Sequence, residues 1–208
     1  MTNENFLVQP LFPYPLYVTD IKRDITKEEL DFFKKQEDNV FHQNEGGNRG
    51  SVNSYLLHEE NLKILHDNIF EKVKHFFDNV IATSDDVEPY ITQSWLNWND
   101  TNQFHHRHFH YNSLYSGVYY INTIENDSIT FSKENEGTIC FANFKTNHLF
   151  NSSEWTVPVH QGMLIIFPSQ LNHQVKMNNQ NKTRISLAFN VFIKGTVGNK
   201  NQYSELNL

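Results

Sequence analysis

A chain of 208 residues carrying a formal charge of -7 is long enough to bury one substantial core and too acidic to track a phosphate backbone, which argues against a nucleic-acid binder. The hydrophobic fraction is only 38%, but seventeen Phe and nine Tyr supply the apolar area that a folded domain needs. Cys140 is the single cysteine, which excludes an intrachain disulfide and any zinc site built on several thiolates, and no apolar run approaches a signal peptide or a membrane span, so a cytoplasmic protein is expected.

In chain order, Phe6 to Ile21 predicts extended structure interrupted by Pro10, Pro13 and Pro15, an edge strand wrapping the domain. Thr26 followed three residues later by Glu29 has the form of a capping box and starts a helix that runs to about Gln36. His42 to Ser54 is almost devoid of apolar residues and predicts a mobile loop, of the kind that selects a substrate or stays disordered. Leu62, Leu65, Ile69, Val73, Phe76, Phe77 and Val80 recur at spacings of three and four. They predict an amphipathic helix from about Glu60 to Ile81 whose stripe needs a sheet to cover.

Beyond Asp85-Asp86 the pattern changes to short strands separated by polar turns. Candidates are Tyr90 to Trp98, Gln103 to His110, Ser116 to Asn122, Ser128 to Phe131, Thr138 to Phe144, Trp155 to Pro158, Met163 to Phe167, His173 to Val175 and Thr183 to Ile193. Short strands without helical periodicity between them indicate an antiparallel sandwich or barrel. The whole chain reads as one domain: an N-terminal extension with supporting helices over 1–88, a β core over 89–195 and a tail over 196–208.

His105, His106, His108 and His110 place four of the eleven histidines within one short segment. If that segment is extended, His106, His108 and His110 share one face while His105, Arg107 and Phe109 take the other. A same-face pair such as His108 and His110 can offer two imidazoles to one ion. Imidazole suits iron, zinc, copper or nickel, so the pair alone does not choose the metal. In the last strand, Ile185, Leu187, Phe189 and Val191 alternate with Arg184, Ser186, Ala188 and Asn190, so one face packs on the core and the other lines a polar cavity. A hairpin centred between Asn178 and Asn179 would set His173 directly opposite Arg184.

His108-Phe109-His110, Asn112-Ser113, Ser116-Gly117-Val118-Tyr119-Tyr120, Phe167-Pro168-Ser169, His173 and Arg184-Ile185-Ser186-Leu187-Ala188-Phe189-Asn190 together resemble the 2-oxoglutarate and iron(II)-dependent oxygenases. Within that superfamily they are most similar to small bacterial and bacteriophage members. The resemblance spans about Pro89 to Ile193 and implies a double-stranded β-helix, or jelly roll, with one or two supporting helices. It implies iron held by His108 and the distal His173, with His110 in the slot where most members carry Asp or Glu. It also implies 2-oxoglutarate anchored by Arg184, the residue carrying the reaction chemistry, beside Ser186, with O2 as the second co-substrate. Asn97 and Tyr119 are further candidates for co-substrate contact, and His105 and His106 for substrate contact or hydrogen bonding behind the metal.

Taken singly, each of these residues also has a plain role: a solvated histidine, an ion-paired arginine, a packed tyrosine. Two other functional classes compete with the oxygenase. In a cupin-like metalloenzyme that uses no keto acid, a Glu commonly follows the histidine pair by four or five positions; Leu114 and Tyr115 stand there instead. A jelly-roll binding protein would show no metal dependence. The expected substrate is a small molecule or a protein, with no membrane involved, and a homodimer is compatible with the sequence.

Overall fold

The computed structural model of the chain describes residues 7–38, 42–133, 145–146 and 148–208. The expected strand Thr138 to Phe144, with Cys140, lies outside the described residues. The strands are β1 (Tyr17–Asp20), β2 (His42–Gln43), β3 (Arg49–Gly50), β4 (Val87–Asn99), β5 (His105–His108), β6 (Tyr115–Asn122), β7 (Ser128–Ser132), β8 (Glu154–Pro158), β9 (Met163–Pro168), β10 (Asn172–Val175), β11 (Arg184–Val197) and β12 (Leu206–Asn207). They form a large sheet in the order β1-β9-β6-β11-β4-β3-β2, with β12 on β11, and a small sheet in the order β5-β10-β7-β8. Strand neighbours run antiparallel, and the two sheets make the expected jelly roll. Among the described residues no helix is long and apolar enough to cross a membrane.

Two helices cover the outer face of the large sheet. Helix α1 (Lys27–Glu37) begins as its sequence predicts: Thr26 Oγ1 accepts from the Glu29 N–H, and Glu29 accepts from the Thr26 N–H. Helix α2 (Lys63–Phe76) buries Leu65, Ile69, Val73 and Phe76 and continues into a wider π turn over Phe77–Ile81. That turn rotates Val80 out of the expected stripe and leaves it 48% exposed. Phe76 and Phe77 meet Tyr115 of β6 edge to face, with centroids 4.8 and 5.4 Å apart.

The large sheet thus divides two cores. Leu187, Phe189 and Val191 join the helix-side core with Tyr119, Leu164 and Ile166, while Val118, Tyr120, Ile165 and Phe167 pack with Ile129 and Phe131 between the sheets. The period-two alternation expected of β11 therefore holds. Gly117 is required at this seam, because a Cβ there would lie 2.1 Å from Cζ of Phe189.

Two expectations are corrected. The segment 42–54 is not a plain loop: β2 and β3 pair, and β3 joins β4 through Arg49 opposite Trp98 and Gly50 opposite Asn97. Arg49 ties the segment down through Glu37 at 2.7 Å and Asp100 at 2.8 Å. Nor do β10 and β11 form a hairpin. β10 pairs with β5 and β7 in the small sheet, while β11 lies between β4 and β6 in the large one. In the intervening tract Asn178, 1% exposed, holds a local turn through the Lys182 carbonyl and the Gln180 N–H, and ties that turn to the end of β4 by donating from Nδ2 to the Asn99 carbonyl and from its backbone N–H to that of Gln103.

Candidate metal centre

His108, His110 and His173 come together at one end of the sandwich, each offering a nitrogen, with all three nitrogens within 4.8 Å of one another. Register accounts for two of them, since His173 is the cross-strand partner of His108. His110 lies just past the end of β5, where its backbone N–H donates to the Ser169 carbonyl.

Each ring is fixed through Nδ1. His108 Nδ1 lies 2.7 Å from the His106 carbonyl, His173 Nδ1 3.0 Å from the Leu171 carbonyl, and His110 Nδ1 2.7 Å from Oδ1 of Asn190. A carbonyl oxygen only accepts, so the proton sits on Nδ1 in all three and the Nε2 lone pairs are free. Burial pushes His108 down to about 4, and it likewise lowers His110 and His173, with the neighbouring imidazoles adding to the effect at His173. Three neutral imidazoles with free, convergent Nε2 atoms are the donor set that a divalent first-row ion takes.

The residues behind His110 explain much of the motif. Ser116 Oγ donates to Asn190 Oδ1 at 2.8 Å and lies 2.8 Å from His110 Nδ1; Ser169 Oγ lies 2.8 Å from Ser116 Oγ and donates to Ser113 Oγ at 2.7 Å. Trp95 packs on the His110 ring with centroids 5.4 Å apart, a contact that its sequence position alone does not reveal.

Arg184 lies across the sandwich on β11, and its guanidinium is almost fully buried. Its Nε donates to both oxygens of Asp127 at 3.0 and 2.9 Å, its Nη1 lies 3.3 Å from Ser186 Oγ, and its Cζ stands 5.2 Å from the Tyr120 ring centroid. Asp127 is the partner that sequence reasoning missed, because Asn126-Asp127-Ser128 reads as a turn. Asn97 is cross-strand to Ser186, and Asn99 to Arg184. Asn97 Oδ1, both amide atoms of Asn99 and of Asn48, and the Tyr120 hydroxyl are buried without a hydrogen-bond partner. Such groups are costly unless a polar ligand or water meets them, and beside Arg184 the Asn99 Nδ2 and the Tyr120 hydroxyl are donors that suit a carboxylate.

Two assignments change. Tyr119 belongs to the helix-side core, on the far face of the sheet from Arg184, whereas the Tyr120 ring lies 5.2 Å from the Arg184 guanidinium carbon. His105 does not face away from the site. The pairs His173 with His108 and Val175 with His105 leave one extra residue in β5, a bulge that reverses the alternation. His105 therefore stacks on His108 at 4.2 Å and 20°, and burial first, then His108, His173, His106 and Arg184, hold its pKa well below the usual value. His106 has a buried Nδ1 with no partner.

Residues 93–190, which contain every group just described except Asn48, match the 2OG-Fe(II) oxygenase family. Among solved structures, the epimerase SnoN from nogalamycin biosynthesis, described as α-ketoglutarate dependent, is similar with a TM-score of 0.57 at 11% identity, over 85% of this chain and 78% of that one. A Pseudomonas putida prolyl-4-hydroxylase is similar with 0.52 at 12% identity, over 85% and 91%. HygX from Streptomyces hygroscopicus, solved with nickel, 2-oxoglutarate and hygromycin B, gives 0.50 at 12% identity, over 85% and 82%. No curated protein sequence matches significantly. The matched segment is slightly less than half of the chain and the solved structures share its jelly-roll fold, so the chain resembles the 2-oxoglutarate and iron(II)-dependent oxygenases, with His108, His110 and His173 grouped where they could hold an ion.

Proposed function

We propose that the protein hydroxylates an organic substrate, with His108, His110 and His173 holding iron(II) and Arg184 with Ser186 binding the far carboxylate of 2-oxoglutarate. The observation that carries this reading is the Nδ1 anchoring of all three clustered imidazoles, which frees three Nε2 lone pairs, in a chain whose other sheet carries a buried guanidinium. When bound, iron(II) and 2-oxoglutarate supply oxidation of a substrate C–H bond by O2, coupled to decarboxylation of the keto acid to succinate.

The chain's own residues orient and enclose. Asn190 and Ser116 keep the His110 ring turned toward its neighbours, and the backbone carbonyls of His106 and Leu171 do the same for His108 and His173. Arg184, 2% exposed, presents a directional charge with little competing water, where a guanidinium and a carboxylate pair strongly. Asn99 Nδ2 and the Tyr120 hydroxyl offer further unpaired donors beside it. The segment around Gly46 and Gly47, bonded to Phe104 beside the histidine strand, borders the site and is placed to select the substrate, a small molecule or a protein side chain. A cytoplasmic enzyme fits this chemistry.

The test is an anaerobic titration of iron(II)-loaded protein with 2-oxoglutarate. A weak visible charge-transfer band is expected from the chelate, followed by succinate formation once air is admitted. If neither band nor succinate appears in protein that has bound iron, the oxygenase reading is wrong.

A further inference from the structure

The metal shell and the guanidinium pocket each depart from a simple design, and the two departures have opposite signs. All three candidate ligands are neutral imidazoles, so the metal receives no negative charge from the protein. At the other end, Arg184 is already neutralised by Asp127, with both side chains 2% exposed. Asp127 does not depend on Arg184 for its position, because its Oδ1 accepts the Ser128 N–H at 2.8 Å and its carbonyl accepts the Val159 N–H at 3.0 Å. His105 stacks on His108 at the metal end.

A closed pocket of low dielectric penalises net charge heavily. A divalent ion and a dicarboxylate cancel each other, and Asp127 cancels Arg184, so the filled pocket is neutral. Without Asp127 it would carry a net positive charge. With Asp127 and a carboxylate at position 110 together, it would carry a net negative one.

We infer that Asp127 balances the charge of the co-substrate pocket, supplying beside Arg184 the negative charge that the three-histidine shell lacks. Asp127 thus sets which ligand type position 110 tolerates when the dicarboxylate binds. This inference rests on the oxygenase reading.

The experiment is calorimetric titration of 2-oxoglutarate into cobalt(II)-loaded protein, with metal content checked for each of four proteins: wild type, His110→Asp, Asp127→Asn and the double variant. His110→Asp is expected to retain metal but bind the dianion about tenfold or more weakly, from one added like charge in a pocket of moderate effective dielectric. Asp127→Asn alone is expected to bind at least as tightly as wild type. The double variant is expected to recover wild-type affinity to within about threefold. A partner that only orients Arg184 gives a different pattern: Asp127→Asn weakens binding by a similar factor in both backgrounds, and that result overturns the inference. If Asp127→Asn does not fold, Asp127→Ser keeps an acceptor for the Ser128 N–H and is read by the same criteria. Failure of wild type itself to bind 2-oxoglutarate while metal-loaded overturns the oxygenase reading, and the charge-balance inference with it.

Discussion

Replacing Arg184 with Leu leaves Asp127 as a buried carboxylate with no cation. Both partners are 2% exposed and joined at 2.9 to 3.0 Å, so water cannot take over the interaction without opening the space between the sheets. Breaking a buried pair by removing one partner costs about 3 to 5 kcal/mol, because the survivor keeps its desolvation penalty. For a chain of this size each kcal/mol moves the melting temperature by about 2 to 4 °C, so Arg184→Leu should melt about 6 to 20 °C below wild type. Arg184→Leu combined with Asp127→Leu removes both charges and should regain most of that loss. Thermal unfolding followed by circular dichroism on metal-free protein reads this directly. An Arg184→Leu protein that melts within about 2 °C of wild type would refute the claim that the pair is dry. Where the variant stays folded at low temperature, its metal content should be unchanged and its 2-oxoglutarate affinity lower by about thirty-fold or more.

His108→Ala and His173→Ala should each abolish tight binding of one divalent ion per chain, measured by metal analysis after dialysis, since two imidazoles make a poor site; full occupancy in both would remove the triad. Asn190→Ala frees the His110 ring and should weaken metal affinity about 10- to 100-fold with little change in fold, a loss that competition with a chromophoric chelator would detect. Gly117→Ala forces a methyl into the Phe189 ring, so it should cost about 1 to 3 kcal/mol, read as a lowered melting temperature.

The sequence made the strands of the sandwich readable because alternation along β11 and the apolar run of β9 leave little freedom about which face is buried. The start of α1 was equally plain, since a capping box is a local signal. His108, His110 and His173 could be named because ligand types at strand spacing are rare. What stayed hidden depends on tertiary contacts. Asp127 looks like turn chemistry until Arg184 arrives from a strand 57 positions away. The face of His105 is set by one extra residue in β5, which leaves no trace in the hydrophobic pattern. A hairpin between β10 and β11 fails although the tract does turn, because Asn178 also anchors it to the Asn99 and Gln103 carbonyls and the flanking strands pair in different sheets. Tyr119 and Tyr120 are adjacent aromatics on opposite faces, so a slip of one residue exchanges core and site.

The division into two cores separates what folds the protein from what arms it. The helix-side core is assembled from residues such as Leu65, Ile69, Phe76, Leu187 and Phe189, and it contains none of the three histidines. In small zinc domains the ion replaces a missing core, so binding and folding are one event. Here the helix-side core is complete without any of the three histidines, so an ion held by them would stabilise the chain only by mass action on the folded state. Chelation should therefore yield a folded apoprotein that refills reversibly, and iron, cobalt, nickel and zinc can be exchanged through the same centre at equilibrium.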